Sequence, residues 1–190
     1  DAAEAVARTA SSSGIGVRLG LLEEADRSEE SDLSLQLFIG QRSASVSTAD
    51  TSPAALDALV ERAVAMARIA PENPWAGLAP EELLAKGPFP ALDLADPLGE
   101  IAPERLRELA LEAEDAARAV PGVTNSEGGN ASSSIAAQAY VTSHGFAGAT
   151  LATGYSVSAS VLAGEGGGMQ RDYDWHSARH FADCDAAALI

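Results

Sequence analysis

Apolar and polar residues alternate most clearly at Ser156-Val157-Ser158-Ala159-Ser160-Val161, which predicts a strand with one apolar and one hydroxylated face. The same two-residue period over Ile15, Val17, Leu19 and Leu21, and over Leu33, Leu35, Leu37 and Ile39, predicts two more half-buried strands. Residues 2–9 fit a strand or a short helix equally well, and Ser11-Ser12-Ser13-Gly14 reads as a turn. Gly40-Gln41 turns the chain into a short strand from Arg42 to Ser47. Further strands are expected near 122–127, 133–143, 146–163 and 168–174. They are separated by Glu127-Gly128-Gly129-Asn130, Ser143-His144-Gly145 and the glycines from Gly164 to Gly168, which tolerate positive φ.

Two segments carry a helical period instead. Ser52 at a cap and Pro53 at the first helical position precede Leu56, Leu59, Val60, Ala63, Val64 and Ala67 on one face, predicting a helix to about Ile69. A second helix starts near Pro103 and turns Leu106, Leu109, Ala110 and Ala113 inward, ending near Val120. Seven of the nine prolines fall between Pro71 and Pro103, so this stretch crosses the surface without regular structure, and Trp75 and Leu78 are expected to pin it to the first helix. The order strands, helix, crossover, helix, strands predicts an α+β domain: an antiparallel meander with both helices packed on one side.

Composition narrows the function classes. The chain of 190 residues has 28 acids against 12 Lys and Arg, a formal net charge of −16, and no basic cluster, which opposes direct binding to nucleic acid. One cysteine excludes an internal disulfide framework and fits a reducing compartment. No apolar run is long enough to span a membrane, and no signal-peptide pattern opens the chain. Residue 1 is Asp, and the last residues end within an apolar, helix-prone run; the expected organisation is an N-terminal α+β domain over 1–175 of a longer protein, with 176–190 starting a helical connection to a further domain.

Candidate chemistry is sparse. The acidic run Glu23-Glu24-Ala25-Asp26-Arg27-Ser28-Glu29-Glu30-Ser31-Asp32 lacks the Asp/Asn and Gly spacing of a calcium loop and reads as a solvated hairpin tip. His176, His180 and Cys184 are spaced by four in an apparent helix start, but eight residues rise about 12 Å along a helix, so the outer two cannot share one ion. Adjacent Ser143 and His144 point to opposite faces of a strand and do not make a nucleophile–base pair. Arg171 and Asp172, beside a flexible glycine loop, suit either a strand-end salt bridge or the orientation of a substrate or partner. The long Ser-rich strand suits either a solvated face or a groove that holds an extended peptide by main-chain pairing.

Several motifs together resemble a known family. Val123-Thr124-Asn125-Ser126-Glu127-Gly128, Ser143-His144-Gly145-Phe146, Gly166-Gly167-Gly168-Met169-Gln170-Arg171-Asp172-Tyr173 and Ala178-Arg179, with Ser43 to Asp50, Ser52-Pro53 and Asn73-Pro74-Trp75-Ala76-Gly77-Leu78 upstream, are similar to the N-terminal half of PmbA/TldE proteins. The resemblance implies a cytoplasmic subunit of the TldD/TldE metallopeptidase system, long described as a modulator of DNA gyrase. It also implies a TldD-like partner or a homo-oligomer, with an unfolded peptide as substrate. Zinc is expected only on the TldD-like partner, whose HExxxH motif this sequence lacks, so no catalytic or metal residue is assigned. The candidates for substrate or interface contact are Asn125, Ser143, His144, Gln170, Arg171 and Asp172. The alternative is a scaffold or peptide-binding module unrelated to proteolysis.

Overall fold

The computed structural model describes residues 1–186 and contains a six-stranded antiparallel sheet with two helices, the α+β class expected. The strands are β1 (Ala2–Arg18), β2 (Leu21–Ile39), β3 (Arg42–Thr48), β4 (Val123–Thr142), β5 (Ala147–Ala163) and β6 (Gln170–Ala178), in the spatial order β3-β2-β1-β4-β5-β6. The helices are α1 (Pro53–Ile69) and α2 (Pro103–Arg118). None among the described residues is long and apolar enough to cross a membrane. The chain divides into two compact units, one of Asp1–Thr9, Glu30–Leu92 and Ala137–Thr150, the other of Ala10–Glu29, Asp93–Ala136 and the residues from Leu151 onward.

In the first unit the β2–β3 register sets Leu33, Leu35 and Leu37 opposite Thr48, Val46 and Ala44, so one face of the pair is apolar. α1 covers it with Leu59, Ala63 and Ala67. Its start is as predicted: the Ser52 hydroxyl accepts from Ala55 N–H at 3.4 Å, and Pro53 follows. Trp75 is a correction. It is 91% exposed and so cannot bury its ring against the first helix; its backbone N–H bonds to the Asn73 side chain in a local turn.

The second unit is built around α2. Leu106, Leu109, Ala110, Ala113 and Ala117 pack on Ile15, Val17, Ala131, Tyr155, Val157 and Ala159 from β1, β4 and β5. Small residues along α2 let it lie close to the sheet. A Cβ at Gly129 would stand 2.2 Å from the Ala110 carbonyl oxygen and one at Gly128 2.6 Å from that of Val17. This explains a second correction: Glu127-Gly128-Gly129-Asn130 does not reverse the chain. The expected strands 122–127 and 133–143 are one strand, β4, and along it the buried positions change from Ser126 and Gly128 to Gly129, Ala131 and Ser133. That phase slip is the signature of a bulge, here where α2 comes closest.

Two further turns move. Ser11 to Gly14 continues β1, and the acidic run lies inside β2 rather than at a hairpin tip. The reversal is at Leu19-Gly20, with φ of 50° and 79°. Residues 21–31 are exposed throughout, so no buried face imposed an apolar alternation. β3 pairs with β2 only from Leu33 onward, and acids along the uncovered stretch discourage association edge to edge. The turns expected at Gly40-Gln41, at Ser143-His144-Gly145 and between β5 and β6 are present.

Candidate functional site

In the second unit β5 presents Tyr155, Val157 and Ala159 to α2 and Ser156, Ser158 and Ser160 to the opposite side, as the alternation predicts. Neighbouring strands extend this hydroxyl face. The Ser132 and Ser156 hydroxyls lie 2.9 Å apart, and Ser134 Oγ donates to the Gly154 carbonyl at 3.2 Å. The β5–β6 register sets Tyr173 opposite Ser160, Trp175 opposite Ser158 and Ser177 opposite Ser156, so two aromatic rings, 67% and 62% exposed, stand beside the serines. At one end Arg171 is ion-paired with Glu127, and Ser160 Oγ donates to the same carboxylate at 2.8 Å. At the other, Ser132, Ser134, Ser156, Ser177 and Arg179 line a shallow hollow of about 400 Å³. Hydroxyls donate and accept at once, so this face can pair with hydrogen-bond donors and acceptors alike.

The α2 side of the same strands carries a groove of about 630 Å³. Ala117, Val120 and Val123 form one wall and Ala159, Val161 and Ala163 another, with Gln170, Arg171, Asp172, Tyr173 and Asp174 of β6 at its border. β6 is the last strand of the sheet order, so its outer edge has no strand partner among the described residues.

Glu114, on the inner stripe of α2, is buried and charged. Burial opposes ionisation, but hydrogen bonds from the Ser126 hydroxyl, Gly20 N–H and Leu19 N–H, together with nearby Arg118, outweigh it and hold the carboxyl below its usual range. The bonds to Leu19 and Gly20 are 2.7 and 2.9 Å, tying the β1–β2 turn to the helix. Its spacing, four residues after Ala110, was the available signal of an inward acid. A second cluster is anchored by buried Thr153, whose hydroxyl donates to Arg179 O at 2.6 Å and accepts from Asp96 N–H at 2.8 Å. Backbone donors from Leu98 and Phe181 lower the Asp96 carboxyl, aided by His180.

The expected site residues separate. Gln170, Arg171 and Asp172 sit together on β6. Asn125 lies on β4, where its side-chain oxygen accepts from Ser126 N–H and it borders a different hollow of about 330 Å³. Ser143 and His144 belong to the first unit. Ser143 exchanges hydrogen bonds with the Ala3 backbone at 2.8 and 3.0 Å, and the His144 Nδ1–H donates to Ala79 O at 2.9 Å. His176 lies in β6, not at a helix start, with Nε2 2.9 Å from Asp183 O, and Phe181–Asp183 forms a single 3-10 turn. The strand continues there because His176 is paired opposite Val157 of β5. The last four residues of the expected helical connection lie outside the described residues. Cys184 is buried, which pushes its thiol up, with Asp185 adding to the effect. Among the described residues no three His, Cys, Asp or Glu side chains converge.

Comparison with known proteins agrees with this architecture. Residues 3–67 match the model of the PmbA/TldA metallopeptidase domain 1, and residues 96–190 match that of the PmbA/TldA metallopeptidase central domain. Metalloprotease PmbA of Escherichia coli O157:H7 is 34% identical over 96% of the chain, and the Metalloprotease PmbA homolog of Haemophilus influenzae 32% over 94%. The chain spans 40% of the length of each. Two crystal structures share the fold over the whole chain. One, from Bacteroides thetaiotaomicron and described as a candidate modulator of DNA gyrase, has a TM-score of 0.89 at 24% identity and is covered to 43%. The other, TldE from Thermococcus kodakarensis, has a TM-score of 0.80 at 17% identity and is covered to 42%.

Proposed function

Since the chain belongs to the PmbA/TldA metallopeptidase family, we propose that it is the peptide-holding part of a TldE-type subunit, which leaves hydrolysis to a zinc-bearing TldD-like partner. The observation that carries this reading is the outer edge of β6, which no strand pairs among the described residues, flanked on one side by hydroxyls and exposed aromatics and on the other by a largely apolar groove. An extended chain added there gains main-chain hydrogen bonds independent of its sequence, while its alternate side chains meet two different faces. Such recognition fits an unfolded peptide. The charge of −16 supports an indirect link to gyrase over contact with DNA.

Purification of the full-length protein tests this. It should co-purify with a zinc-bearing TldD-like protein, hold no stoichiometric zinc when separated, and bind a labelled unstructured peptide whose affinity collapses when alternate peptide nitrogens are methylated. Peptide hydrolysis by the separated subunit, or binding that ignores N-methylation, would overturn the proposal.

A further inference from the structure

The groove beside β6 has a chemical preference that edge pairing alone does not supply. The β5–β6 register sets Asp172 opposite Val161 and Asp174 opposite Ala159, so both carboxylates point to the α2 side, where the groove lies. Each uses one oxygen locally: Asp172 Oδ1 accepts from Tyr173 N–H at 2.9 Å and Asp174 Oδ1 from Trp175 N–H at 2.8 Å. Neither forms an ion pair within 4.0 Å in the described residues; Arg171, which also lines the groove, has its guanidinium engaged with Glu127 instead. The C-terminal end of α2 contributes its own negative partial charge beside Ala117. Behind this border the walls are apolar: Ala117, Val120, Val123, Ala159, Val161 and Ala163.

An apolar slot with anionic groups at its border complements a long aliphatic stem that ends in a cation. We infer that the groove is a side-chain subsite for Lys or Arg, occupied when an extended basic peptide pairs with the β6 edge. This inference rests on the peptide-holding role proposed above and adds a selectivity to it. In a peptide strand laid along β6, every second side chain points to the α2 side, so one basic residue opposite Asp172–Asp174 is enough to fill the slot. A guanidinium can meet carboxylates through its planar fork of donors.

The test uses the full-length protein and two dye-labelled, unstructured peptides of equal length, one with Lys and one with Glu at alternate positions, measured by fluorescence anisotropy at 0.15 M salt, where remote acids are screened beyond about 8 Å. The Lys peptide should bind about tenfold more tightly. In Asp172→Asn/Asp174→Asn that ratio should fall towards one, and in Asp172→Lys/Asp174→Lys it should invert, the gained binding of the Glu peptide itself showing that the variant is folded. A ratio unchanged by both double substitutions overturns the subsite. Equal binding of the two peptides by the wild type overturns the subsite but leaves the peptide-holding role standing, whereas binding of neither peptide removes both.

Discussion

Glu114 receives three hydrogen bonds in a fully buried position, and leaving those donors unpaired is costly. Glu114→Ala should lower stability by on the order of 3 kcal/mol in urea titrations. Because the fold holds this carboxyl below its ordinary value of 4.5, the charged form is favoured in the native state, so its contribution is complete above that pH and is lost as the pH falls through the lower folded value. Glu114→Gln should therefore flatten the acid limb of the stability profile below about pH 4.5 relative to wild type. Leu19 makes the converse case. It is a half-exposed leucine at φ 50° in a two-residue turn that favours Asn-Gly, so Leu19→Asn should raise stability by about 0.5 kcal/mol, seen as a higher urea midpoint at unchanged slope.

At the scale of elements, the contact between β4 and α2 is backbone on backbone. Gly129→Ala would set a methyl 2.2 Å from the Ala110 carbonyl oxygen, and no side-chain rotation relieves it, so the substitution should cost more than about 2 kcal/mol and lower the melting temperature sharply. At α1 the loss should be smaller: Ser52→Ala removes one cap acceptor, for about 1 kcal/mol by the same measurement. The helices were readable from sequence because their caps and apolar stripes are local, and Ser52-Pro53 and Leu106 to Ala113 sit where the period put them. The strands were readable only in part. Gly128 and Gly129 carry the residue type of a turn yet serve close approaches, Gly128 to Val17 of β1 and Gly129 to Ala110 of α2, partners distant in the chain. The acidic stretch of β2 was misplaced for a related reason: a strand exposed on both faces keeps no hydrophobic period, and its pairing with β1 is a property of the sheet.

For the molecule as a whole, the acidic balance predicts no shift of duplex DNA in gel assays at physiological salt, however the family came to be linked with gyrase. Of the candidate site, Gln170, Arg171 and Asp172 were legible as a group because they are consecutive, whereas the hydroxyl face around them needed β4, β5 and β6 in register. Ser143 and His144 carry tempting side chains, but both are engaged with backbone groups of Ala3 and Ala79, partners far away in sequence. The residue pattern by itself determined the α+β class, both helices with their buried faces except for Val60 of α1, which is exposed, the two-faced β5 strand and the acidic character of the surface, because each follows from local spacing or from a sum over residues. Only the tertiary structure decided that β4 runs unbroken past its glycines, that Glu114 turns inward to hold a distant turn, and that Asp172 and Asp174 border an apolar groove, because those outcomes depend on which strand lies beside which and how closely a helix approaches them.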